Sequence, residues 1–221
     1  DRGFIPEGLL NYLALLGWSI SHERDIFSLS ELAEHFDVVN VNPNPARFDQ
    51  KKADAINAAH IRMLSLEDFA ARLVPYLQSA GLVGKELSAR QHEVLLAAAP
   101  LIQERIVVLG EAPGMLGFLF KSSADLTIDD DARDGLGDNT AQVLEVSTAA
   151  IEDLPDFSAA SIQDVLNRVL IEELQLKPRF AFGALRTAIS GRRVSPPLFE
   201  SMEILGKDET LARIASFART L

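Results

Sequence analysis

The 221 residues contain no cysteine, so disulfide staples and thiolate metal sites are excluded. A reducing compartment, the cytoplasm, is the expected location. No apolar run approaches the roughly 20 residues a membrane helix needs; stretches such as "LLNYLALLGW" reach about half that length. The start, "DRGFIPEG", is charged and interrupted by Gly and Pro, unlike a signal peptide, and Asp1 is no initiator methionine. The chain therefore reads as a piece of something longer. Phosphate-cradling glycine motifs of the GxGxxG or GxxxxGK[ST] kind are also absent.

Histidine is scarce too. His22, His35, His60 and His92 are never paired at i, i+4 and sit beside no nucleophile motif, so they read as surface or helix-face residues. The "DDDARDGLGD" stretch at 129–138 has the acids of a calcium loop, but its glycines and closing acid are misplaced. It reads as a solvated loop that starts a helix. No catalytic residue, metal site or cofactor site is expected in these residues.

What the chain has in quantity is apolar residues, 48%, and acid, giving a formal net charge of −11. An anionic chain is a poor general partner for nucleic acid, because Lys and Arg supply most of the phosphate affinity. The charge is unevenly placed, however. Residues 124–157 hold ten acids and one base, whereas 177–221 hold eight bases against four acids, a net of +4. Local sign governs attraction within a Debye length of roughly 10 Å, so the C-terminal stretch is a candidate anion face.

Helix signals dominate. "PEGLLNYLALLG" offers Pro6 in a first turn, apolar residues at helical spacing and Gly17 as a stop. Capping signals three residues apart occur at Ser28 with Glu31, Ser65 with Asp68, Ser88 with Gln91, and Ser161 with Asp164. "DVVNVNPNPAR" (37–47) reads as an extended connector. "RIVVL" (105–109) continues an apolar helical pattern and is expected to be helix. The expected fold class is mainly α: a small helical module over 1–64, then an all-helical array over 65–221, with a possible subdomain break near 122–138.

One motif concentrates the positive charge. In "LRTAISGRRVSPPLFE" (185–200), Arg186, Arg192 and Arg193 flank a Ser195-Pro196-Pro197 corner that two fixed φ angles make stiff. Ser195 is expected to cap the helix that follows, leaving first-turn N–H groups directed outward. Arginine can hydrogen-bond and stack on an unstacked base, and Leu198 adds an apolar contact. The alternative is an ordinary helix cap with solvated arginines. A different class, a helical protein-interaction module using the acidic 124–157 face, stays open on these residues alone.

"DRGFIPEGLLNYLALLGWS" (1–19) resembles the segment after the KMSKS-type ATP-binding loop of bacterial glutamyl-tRNA synthetases. "FSLSELAEHFDVVNVNPNPARFDQKKADAINAAHIR" (27–62), "LIQERIVVLGE" (101–111) and "LRTAISGRRVSPPLFESMEILGKDETLARI" (185–214) keep the family's order. The resemblance implies a stem-contact module over 1–64 and an anticodon-binding domain over 65–221. The catalytic domain, with its ATP and Mg, would lie before Asp1. It implies that Arg105 meets the third anticodon base and that Arg186, Ser195, Pro196 and Leu198 cradle the others, with Arg192 and Arg193 steering phosphates. Arg47, Lys51, Lys52 and Asn57 become candidates for sugar-phosphate contacts, or else form a solvated helix face. The implied partner is tRNA(Glu), with tRNA(Gln) left open, and no DNA or membrane; the expected state is a monomer. Ala53 and Ala55 depart from the family's "FDxxKLxWxN" run, where Leu and a bulky aromatic are frequent, and "ISG" replaces the more usual "LTG".

Overall fold

In the computed structural model, residues 2–21, 23–43 and 46–221 are described. His22 and the Asn44-Pro45 part of the expected connector lie outside them. The described residues form twelve α-helices and no strand ladder, a mainly α chain as expected; the one bridge joins Ser21 and Arg24. None of these helices is long and apolar enough to cross a membrane.

The chain divides into two compact units. The first holds residues 1–81 and 99–114, the second 82–98 and 115–221. Residues 65–81 and 99–114 fall in the first of these units together with residues 1–64.

In the first unit, Pro6 opens α1 (Pro6–Leu15) at its first position, where a missing N–H costs nothing. Helix α2 (Leu29–His35) begins with a full capping box between Ser28 and Glu31. Bonds from the Ser28 N–H, the Arg24 guanidinium and the Ser28 hydroxyl lower the Glu31 pKa to about 2. Asp49 caps α3 (Gln50–Met63), and Ser65 accepts from Asp68 N–H to cap α4 (Leu66–Ser79). Helices α1 and α3 pack so closely that a Cβ on Gly8 would stand 2.7 Å from the Asn57 Cα, so only glycine fits. Around that crossing Tyr12, Ala53 and Ile56 form a buried cluster with Phe4, Leu15, Leu16 and Ile26. Ala53 is thus core, whereas Ala55 is exposed.

Two polar knots hold this unit. The Asn11 amide donates to the Asp25 carbonyl, while its oxygen accepts from Phe27 N–H and lies 2.8 Å from His60 Nε2. Arg72 on α4 bonds both oxygens of Glu7 on α1, at 2.7 and 2.8 Å, and also Asp68. The Arg72 bonds hold the Glu7 carboxyl below its ordinary pKa.

The expectation that 105–109 is helical is overturned. Helix α5 (Ala89–Gln103) stops before it, and the backbone beyond is captured by side chains and a distant segment. Asn57 Nδ2 donates to the Val107 carbonyl, Val107 N–H donates to Glu111 and Leu109 N–H donates to the Gly3 carbonyl. β-Branched residues resist such an extended path less than a helical one. A short α6 (Ala112–Leu116) follows.

In the second unit, α5 starts with a reciprocal Ser88–Gln91 pair. A short α7 (Asp130–Arg133) occupies the acidic stretch, followed by α8 (Thr140–Glu152) and α9 (Ala159–Leu166). The cap of α9 is Ser158, not the expected Ser161: Ser158 Oγ accepts from Ser161 N–H, and Asp156 holds both hydroxyls. Those two hydroxyl bonds lower the Asp156 pKa. Helix α9 runs on into a wider turn, Asn167–Glu173. Helix α10 (Pro178–Ser190) packs on α8 and on α12 (Lys207–Ala218), and α9 packs on α11 (Leu198–Leu205). Arg213 of α12 (Lys207–Ala218), 1% exposed, ties this unit together. Its guanidinium donates to Glu209 and to the carbonyls of Ile189, Phe118 and Lys121 at 2.6–3.0 Å. Burial pulls the Arg213 pKa down, and four acceptors keep the cation tolerable.

Candidate nucleic-acid interface

Helix α10 ends on Gly191 with φ of 72°, a left-handed cap where any Cβ would collide with the Thr127 carbonyl. The chain then bends through Arg192-Arg193-Val194 into the Ser195-Pro196-Pro197 corner and enters α11 (Leu198–Leu205).

The corner has a brace beyond its two prolines, and its expected cap is absent. Ser195 does not cap α11; the cap position is Pro197, without any side-chain bond. Ser195 lies two residues too early, and its oxygens turn back toward α10. There Arg186 Nη1 donates to the Ser195 hydroxyl at 2.6 Å, the Pro196 carbonyl at 2.8 Å and the Ser195 carbonyl at 3.1 Å. Arg186 is therefore the brace of the corner, half-buried against it.

Leu198 is 5% exposed and Pro196 is buried, so the expectation that Leu198 offers a surface contact is corrected: it packs into the unit. Val194, 79% exposed, is the apolar residue that the corner presents. Arg193 is exposed, and Arg192 is half-buried with Asp129 at 3.7 Å.

Beside the corner lies a groove of about 410 Å³ lined by Arg179, Phe182, Gly183, Arg186, Thr187 and Arg193, with Pro178, Ala132 and Gly135 at its edge. No carboxylate lines it. The acidic stretch contributes only Ala132 and Gly135 to the lining, so the charged side chains that line the groove are all arginines. Its volume suits one nucleotide. Three guanidinium groups and an aromatic edge suit a phosphate and an unstacked base.

Arg179 and Phe182 were not anticipated. Residues 179, 182, 183 and 186 stand at i, i+3, i+4 and i+7, one face of α10. That helical spacing is legible in "RFAFGALR" (179–186).

The remaining expected residues lie in the first unit. Arg105 is exposed just beyond α5, at the end of the turn that closes it. Arg47 and Lys51 are exposed, and Lys52 pairs with Asp25 at 2.9 Å. Asn57 is corrected: it is fully buried, accepting from Ile5 N–H and donating to the Val107 carbonyl, and has no surface to offer a phosphate. Among the described residues no cluster of three His, Asp or Glu could hold a metal ion.

Comparison with known proteins places the chain among relatives of one kind. The anticodon binding domain family matches residues 68–218. A glutamate–tRNA ligase of an Arthrobacter species is 60% identical over 217 residues, covering 98% of this chain and 43% of that protein. The one from Leifsonia xyli is 57% identical over 223 residues, covering 100% of this chain and 45% of that protein. Among solved structures, a glutamate tRNA ligase from Elizabethkingia meningosepticum, in complex with its amino acid, superposes with a TM-score of 0.83 at 28% identity. It covers 99% of this chain and 42% of that one. The chain thus spans less than half the length of the relatives it matches.

Proposed function

Because the chain belongs to the anticodon binding domain family, we propose that it is the tRNA-reading part of a glutamate–tRNA ligase. In this reading the longer protein activates glutamate with ATP and Mg and transfers it to the tRNA 3′ end. The present residues select and place the tRNA, with tRNA(Glu) as partner, in the cytoplasm, as a monomer. Glutamine tRNA stays a second possible substrate, decided at the third anticodon base by Arg105.

The observation that carries this reading is the carboxylate-free groove on α10. Arg186 holds the Ser195-Pro196 corner in one shape, so the wall of the groove needs no rearrangement when a nucleotide arrives. Arg179 and Arg193 supply exposed positive charge at its mouth, and Phe182 offers a ring against which a splayed base can rest. Selection then follows from which anticodon base fits between the braced corner and that ring. Arg47 and Lys51, exposed in the first unit, are assigned to the sugar-phosphate backbone elsewhere on the tRNA.

A photo-crosslinking amino acid at position 194, which is exposed next to the corner, tests the placement. Crosslinks confined to the anticodon loop of glutamate tRNA are expected. Crosslinks confined to the acceptor arm would overturn the assignment.

A further inference from the structure

Helix α1 is apolar on two sides. One side, with Gly8, Asn11 and Tyr12, is buried. The other carries Leu9, Leu10 and Leu13, which are 40%, 45% and 46% exposed. Its only charged residue is Glu7, so it has no polar face at all. A helix with that pattern is one covered from both sides.

The bare side continues onto α2. Leu10, Leu13, Leu29, Leu32, Phe36 and Val41 line an open groove of about 740 Å³ with no charged residue in its lining. Among the described residues, eight of the eleven exposed large hydrophobics fall within the first 63 positions. A contiguous apolar surface of this kind marks an interface. RNA is a poor occupant, since phosphate needs cations and this groove has none.

We infer that the α1–α2 groove is an internal joint, covered by the part of the longer protein that lies outside these 221 residues. The argument rests on the reading of the chain as part of a longer ligase. Relatives up to 60% identical across this chain are more than twice its length, so a large folded body of the same polypeptide is available to cover the groove. An occupant on the same polypeptide is held at high effective concentration, and a groove of modest size then suffices. Leu10 and Leu13 are the knobs it receives, and Phe36 with Val41 forms the far wall.

Hydrogen exchange on the full-length polypeptide and on the 221-residue chain tests this. Amides of residues 9–15 and 29–36 are expected to exchange about tenfold or more slowly in the full-length protein. The Leu10→Glu/Leu13→Glu variant, altered only at exposed positions, should erase that difference while position 194 still crosslinks to the anticodon loop. Equal exchange in both wild-type chains would overturn the inference whatever the variant does. Protection that grows with concentration of the 221-residue chain alone would assign the groove to a second copy instead. Loss of the position 194 crosslink with protection intact would strike the tRNA reading and leave this one standing.

Discussion

Replacing Arg186 by alanine should destabilise the second unit before any tRNA is added. Its Nη1 carries two hydrogens and faces three oxygens, at 2.6, 2.8 and 3.1 Å. A hydrogen bond from a charged donor contributes about 1.5–3 kcal/mol. Two hydrogens shared over three acceptors give about 3–6 kcal/mol, and partial rehydration of a half-buried site reduces the loss to about 2–4 kcal/mol. Ser195→Ala removes one acceptor and leaves both carbonyls served, so about 1 kcal/mol is expected. The double variant should be less damaged than the sum of the singles, because both act on one bond. Urea unfolding followed by far-ultraviolet circular dichroism is the suitable assay. The only tryptophan, Trp18, belongs to the first unit and would not report on the second. If Arg186→Ala stayed within about 0.5 kcal/mol of wild type, where ordinary surface changes fall, the brace would not exist as described.

Two further outcomes follow from the same geometry. Arg179→Ala and Arg193→Ala, which remove exposed cations at the groove, should weaken tRNA binding and each reduce the salt slope of log affinity by about 0.7–0.9; filter binding across a salt series measures both. His60 is buried, and burial pushes its pKa below the ordinary value of 6.5, so folding favours its neutral form. Its contribution to stability is full above pH 6.5 and is lost as pH falls below that, at no more than about 1.4 kcal/mol per pH unit. Stability of the wild type should therefore fall between pH 7 and 5, and His60→Gln should flatten the curve. Glu7, whose lowered pKa acts below 4.5, does not confuse this window.

The parts of the fold that could be read in advance are those whose cause is local. Ser28 with Glu31, and Ser88 with Gln91, close bonds over three residues, so the pair itself announces the helix. Ser161 misled because Ser158, three residues earlier, offers the same hydroxyl and has Asp156 to hold it. Residues 105–109 misled because what stops the helix comes from Asn57 and Gly3, far away in the chain. Asn57 reads as a surface amide for the same reason: its partners at Ile5 and Val107 lie about fifty residues to either side. The corner at 195–197 was found from its prolines and arginines. Which arginine faces inward was set by the packing of α10 against the corner, and that decided that Arg186 braces while Arg193 is exposed.

The central claim is that the α10 groove reads unpaired anticodon bases, and relative affinity tests it most directly. The chain should be titrated at fixed salt with glutamate tRNA and with the same tRNA carrying a replaced anticodon. Loss of one or two base contacts at about 1–3 kcal/mol each predicts binding weaker by roughly tenfold or more for the altered tRNA. Equal dissociation constants for the two would contradict the account.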